Sequence, residues 1–189
     1  MIVIGYLGIG KTTAAKTYNG VIDLGTDAFW DYGKRPDGWN VYYCKIATQL
    51  SKDGNIVFVN PNSAIQRKLI ENNMDDTIAV YPSAALQNEW IQKMERKYVL
   101  SKSNSDLGKL ERVKKCFTKD ILKMSKLPIH KIEFSTPRYD LMLEIVQFVS
   151  LHQNDFRGAK NVGIFKGSVD ELFETYYTCG NAAEFTPTY

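Results

Sequence analysis

Cysteine is scarce in this 189-residue chain, with Cys44, Cys116 and Cys179 only. Three residues so far apart make neither a disulfide framework nor a metal pattern, and they read as reduced thiols in a cytosolic setting. Histidine is scarcer still: His130 and His152 lie far apart in the sequence and read as structural residues. No apolar run approaches the ~18 residues needed to cross a bilayer, so no membrane partner is expected. The first apolar run begins at residue 2, which leaves no room for a signal peptide. Internal repeats and low-complexity tracts are absent.

What remains is an ordinary globular composition, 44% apolar and 24% charged, of a length that fits one domain with one core. The net charge of +3 conceals an asymmetry. From Lys93 to Lys131 there are twelve Lys or Arg against four acids, and the rest of the chain has twelve against seventeen. A basic block on a mildly acidic body suggests a region that meets phosphate, free or in nucleic acid; a solvated, lysine-rich helix face is the other reading.

The most informative stretch is the first. Met1–Ile4 is a β-type apolar run, Gly5-Tyr6-Leu7-Gly8-Ile9-Gly10-Lys11-Thr12 follows, and Thr13 leads into a helical pattern. Between a strand and a helix, G-x-x-x-x-G-K-T is a phosphate-cradling pattern. Glycines let the backbone curl round an anion, and successive N–H groups point at it. A Lys beside the loop reaches the β- and γ-phosphates, and the following hydroxyl suits Mg²⁺.

The rest alternates strand and helix. Gly20–Leu24 reads as a second strand, with Asp23 near its end and Asp27 suited to capping a turn. Residues 28–40 are aromatic and turn-rich. Phe29, Trp30 and Tyr32 with Lys34 and Arg35 form either a substrate wall or a loop packed on the core. Asp37 is the expected N-cap of a helix from Trp39 to about Ser51. Asn55–Asn60 suits a buried parallel strand. Ser63 to Gln66 reads as a capping box opening a helix to about Asn73, and Thr77–Tyr81 as a fourth strand. Leu86, Trp90, Ile91, Met94 and Tyr98 recur at helical spacing as core positions. After a polar break at Ser101–Asp106, Leu107 to Met124 forms an amphipathic helix. Ile129–Phe134 is a fifth strand. Thr136-Pro137 opens a helix to about Leu151, and a last helix starts at Ser168 and stops before Gly180.

The N-terminal stretch resembles the Walker A motif of P-loop NTPases, and the whole order resembles the small P-loop kinases that act on nucleosides, nucleotides and metabolites. The resemblance implies an α/β, three-layer P-loop fold over residues 1–189. Its parallel sheet has about five strands with helices on both faces, and residues 93–128 form a basic, helical, lid-like insertion. It implies that Gly5, Gly8, Ile9, Gly10, Lys11, Thr12 and Thr13 bind ATP. Thr12 and Asp23 would serve Mg²⁺, with Asp23 alternatively a general base. Lys11 and the lid arginines Arg96 and Arg112 would stabilise the transferring phosphoryl group. Asn60 stands where many P-loop ATPases and GTPases carry an Asp, which shifts weight from motors and switches to kinases. The absence of an N-K-x-D pattern leaves ATP or GTP open. The expected activity is phosphoryl transfer from Mg-ATP to a nucleoside or nucleoside monophosphate in the cytoplasm. The alternatives are a kinase acting on a nucleic-acid hydroxyl, bound through the basic 93–131 region, and a P-loop ATPase or switch.

Overall fold

The computed structural model describes residues 1–26 and 37–152. Asp27, most of the aromatic 28–40 loop, Cys179 and the expected helix from Ser168 lie outside the described residues.

Three short apolar strands form the centre. β1 (Ile2–Gly5), β3 (Ile56–Val59) and β4 (Thr77–Pro82) are buried along their whole length. That burial explains their continuous rather than alternating apolar character. β2 (Val21–Leu24) and β5 (His130–Phe134) are the half-exposed edges. The sheet runs β2-β3-β1-β4-β5 and every pair is parallel. In register, Ile4 faces Val59 and Ala79, and Leu24 faces Val59. The carboxyl ends of β1, β2 and β3 therefore finish at one level, the edge where open α/β sheets bind ligands.

Six α-helices and two short 3-10 turns (Met74–Asp76 and Ala84–Leu86) complete the described elements; the α-helices are α1 (Lys11–Thr17), α2 (Trp39–Lys52), α3 (Ser63–Asn73), α4 (Gln87–Ser101), α5 (Asn104–Ser125) and α6 (Leu141–Leu151). α1 packs against α6, whereas α2 packs against α3 and β3, and α5 against α4 and β4. With right-handed crossovers, α1 and α6 lie on one face of the sheet and the other helices on the opposite face. The expected α/β architecture is thus the observed one. One core joins the layers, from Val3 and Phe58 in the sheet to Trp90, Phe117 and Ile145 in the helices.

Several expected boundaries move. α2 is capped by Gly38 at φ 71° with no side-chain hydrogen bond, so Asp37 does not cap it. α3 is capped one residue earlier than expected: the Asn62 Oδ1 accepts from the N–H groups of Ala64 and Ile65. Asp140, not Thr136, caps α6, with N–H donors from Met142 and Leu143 at 2.9 and 3.0 Å. Thr136 instead donates to the Arg138 carbonyl. The polar break between α4 and α5 shrinks to Lys102 and Ser103, because Lys102 adopts φ 49° and ends α4 at once. Ser103 caps α5 by accepting from the Asp106 N–H at 3.1 Å.

Candidate functional site

The loop from Gly5 to Gly10 joins β1 to α1. Tyr6 extends the sheet by one bond, its N–H donating to the Val80 carbonyl at 2.9 Å. Gly8 and Gly10 take φ of 79° and 100°, the left-handed region that side chains disfavour. Gly5 sits close to two side chains: a Cβ there would lie 2.6 Å from Ile9 Cδ1 and 2.9 Å from Lys11 Cδ, so both would have to shift. The Ile9 side chain is buried in the core against Gly5. α1 starts from Gly10 as its N-cap, with no side-chain cap hydrogen bond.

Lys11 is buried, and its Nζ donates to the carbonyls of Gly5 at 2.8 Å and Tyr6 at 2.9 Å. Burial pulls its pKa down from 10.5 to about 8; the Asp23 charge opposes this, and Lys109 and Lys97 add to it. Those two lysines belong to the α4–α5 hairpin, so the basic region and the loop share one electrostatic field.

Thr12 and Thr13 are exposed on the first turn of α1. The Thr12 hydroxyl donates to Asp23 Oδ2 at 2.6 Å. Asp23 reaches it from β2, two strands away from β1, because the strand ends are level. Asn60 follows β3 between them, and its carboxamide has no hydrogen-bond partner among the described residues.

α4 pins the loop from the other side. Trp90 Nε1 donates to the Leu7 carbonyl at 2.7 Å. A Cβ on Gly8 would lie 2.8 Å from Met94 Sδ and 3.2 Å from Trp90 Nε1. Lys93 sits over the rings of Trp90 and Tyr139, 4.7 and 4.9 Å from their centroids, and donates to the Tyr139 hydroxyl at 3.1 Å. Burial lowers its pKa to about 8. Tyr139 continues into a stack on Phe134 with centroids 3.7 Å apart.

An open cleft of about 280 Å³ lies between Leu7, the Asn60–Asn62 turn, and Gly108, Lys109 and Arg112 of α5. Arg112 is held by Asp120, whose Oδ2 accepts from Nε at 3.1 Å and lies 3.0 Å from Nη2. Asp106 is buried and holds Lys97 at 3.2 Å and Lys109 at 3.5 Å. Burial pushes the Asp106 carboxyl up, but the bonds from Ser101 and Lys97 and the two lysine charges outweigh it and hold it below the usual carboxylate value.

The structure therefore gathers Gly5, Gly8, Gly10, Lys11, Thr12, Asp23 and Arg112 at one edge of the sheet. Thr13 lies on the same turn, one residue further round. Arg96 lies on the exposed side of α4 and does not line the cleft. Lys93, Lys97 and Lys109 escaped the sequence reading as site residues. The available signals were the i, i+3 spacing of Trp90 and Lys93 and of Lys109 and Arg112. The two histidines meet, with ring centroids 5.1 Å apart, at the opposite end of β5.

No family model, curated protein or solved structure matches the chain. The five-stranded parallel sheet with its flanking helices is compatible with an α/β P-loop-like fold. No helix among the described residues is long and apolar enough to cross a membrane.

Proposed function

We propose that the chain is an ATP-dependent phosphotransferase, a P-loop kinase that moves the γ-phosphoryl group of Mg-ATP to a nucleoside or nucleoside monophosphate. The observation that carries this reading is the 2.6 Å contact from Thr12 to Asp23 at the foot of a glycine-built loop with a buried lysine. A hydroxyl and one carboxylate are hard oxygen donors of the kind Mg²⁺ uses together with substrate phosphates. With only those two protein donors, the cation would be shared with the nucleotide. When bound, Mg²⁺ neutralises charge on the β- and γ-phosphates.

The chain's own residues supply the rest. Lys11 exchanges the carbonyls of Gly5 and Tyr6 for phosphate oxygens. The acceptor oxygen forms a bond to the γ-phosphorus as the bond to the β-phosphate oxygen breaks, releasing ADP. Where the acceptor is a hydroxyl, Asp23 orients it and takes its proton. Where it is a phosphate, no base is needed and Asp23 stays with Thr12 beside the cation. Arg112, which lines the cleft together with Leu7, stabilises charge on the equatorial oxygens.

ADP release from Mg-ATP, run against nucleosides, nucleoside monophosphates and oligonucleotides, tests the proposal. Stimulation by a nucleoside or its monophosphate, absent in Lys11→Ala, is the expected result. A steady release that no acceptor changes points to an ATPase or switch instead. Full activity in Lys11→Ala removes the phosphate loop from the reaction. A second reading, a kinase acting on a nucleic-acid hydroxyl, is favoured by the exposed Lys114, Lys115, Lys119 and Lys123 along α5. It requires oligonucleotide binding that falls steeply with salt.

A further inference from the structure

Ser105, Gly108, Lys109 and Arg112 follow one another at steps of three, one and three, so they form a single stripe on α5. This stripe is distinct from the apolar one of Leu110, Val113, Phe117, Ile121 and Met124 that α5 buries in the core. Gly108 is its anomaly. It lies inside a 22-residue helix, where glycine is costly relative to alanine. Its φ is not positive, and a Cβ built on it meets no atom within 4 Å. Neither backbone conformation nor packing calls for glycine there. The one consequence of the missing side chain is an open wall on the cleft beside Leu7 and Asn60.

The rest of the lining mixes the apolar Leu7 and Pro61 with the polar Asn60 and Asn62. Asn60 offers an unpaired carboxamide, and Asn62 uses its Oδ1 as a helix cap, which leaves its NH₂ as a donor. Lys109 and Arg112 are each anchored by a carboxylate, Asp106 and Asp120, so their positions are set in advance. Lys97 is the second cation on Asp106.

We propose that this cleft binds a phosphate monoester, the phosphorylated end of the acceptor, with Arg112 and Lys109 gripping the phosphate and Gly108 keeping the space it enters. The ligand's role as acceptor rests on the phosphotransferase reading; the binding site itself does not. Arg112→Gln weakens binding at least tenfold. Gly108→Leu does the same by filling the cleft. Gly108→Ala raises Tm by about 2–4 °C and holds affinity within about twofold, because the fold does not need the glycine.

Calorimetric titration of the Lys11→Met chain, in which the phosphate loop lacks its amine, tests this without turnover. The probes are ribose 5-phosphate against ribose, the nucleoside 5′-monophosphates against their nucleosides, and an oligonucleotide with and without a 5′-phosphate. A preference of at least tenfold for a phosphorylated small molecule, lost in Gly108→Leu and Arg112→Gln, is the expected result. The same preference shown only by the oligonucleotide keeps the site and assigns its ligand to a nucleic-acid end. Equal binding with and without phosphate, no binding of any probe, or unchanged affinity in Gly108→Leu overturns the proposal. Saturable binding in a chain whose wild type transfers no phosphoryl group would leave the site standing and remove only the transferase reading.

Discussion

Trp90 Nε1 donates a 2.7 Å hydrogen bond to the carbonyl of Leu7, 83 residues earlier in the chain. The indole ring is fully buried, so this bond clamps α4 onto the loop between β1 and α1. Gly8 leaves room for it, since a Cβ there would lie 3.2 Å from the same nitrogen. The basic hairpin is thereby fixed to the phosphate loop rather than hung beside it.

Trp90→Phe keeps a ring in the core but removes the donor and leaves the Leu7 carbonyl without it. Stability should fall by about 1 kcal/mol from the lost bond, and more from the smaller ring. Nucleotide affinity should fall as well, because the loop loses its outer restraint. Urea unfolding and ADP titration check both; a variant equal to wild type in both would mean the bond does not position the loop.

Lys11 makes stability depend on pH in a stated direction. Its folded pKa is about 8 against an ordinary 10.5, and Lys93 is lowered to about 8 as well. Below pH 8 both amines are charged folded and unfolded, and burial penalises the fold at a constant level. From pH 8 towards 10.5 the folded state has released protons that the unfolded chain still binds. Stability therefore rises, by at most about 1.4 kcal/mol per pH unit for each lysine. Lys11→Met and Lys93→Met should each remove part of this rise in apo protein. Above pH 10 the buried Tyr6, Tyr43 and Tyr139, whose pKa values burial raises, reverse the trend. A flat wild-type profile between pH 8 and 10 would contradict the burial of both amines.

What was legible in the sequence was what local rules encode. Ile2–Gly5, Ile56–Val59 and Thr77–Pro82 are short apolar runs, and their burial in a parallel sheet follows from that. The glycine spacing before Lys11 announced the loop, and the position of Asp23 at the end of β2 placed it near Thr12. Caps were less legible because neighbouring residues compete for one role. Asn62 and Ser63 both suit an N-cap, as do Thr136 and Asp140, and tertiary packing chose between them. The approach of Trp90 to Leu7 and that of Tyr139 to Lys93 are contacts across the fold that no spacing records. The same holds for His130 and His152, which strand β5 and the end of α6 bring together.

Asp23→Asn tests the carboxylate that the site reading depends on. Asparagine keeps an oxygen for the Thr12 hydroxyl, so the fold and loop should persist. It cannot accept a proton and carries no charge for a cation. Turnover should fall by about 10²-fold or more where the acceptor is a hydroxyl, with ATP affinity changed far less. Single-turnover rates and nucleotide titration separate these effects. Unchanged turnover would take Asp23 out of the mechanism.

Asp120→Asn addresses the anchor of Arg112 without touching the arginine. The Arg112 side chain is 52% exposed, so the pair contributes little to global stability, within about 1 kcal/mol. Its value lies in position: one carboxylate oxygen receives both Nε and Nη2 and holds the guanidinium of a residue that lines the cleft. Asparagine at 120 holds that fork more weakly, and the arginine then samples solvent. The expected outcome is an acceptor KM raised several-fold and a lowered kcat, with Tm much less affected. Arg112→Lys should behave similarly, since an ammonium lacks the fork that both the aspartate and a phosphate match. A Tm loss of many degrees with unchanged acceptor KM would make the pair a structural strut and take Arg112 out of substrate binding.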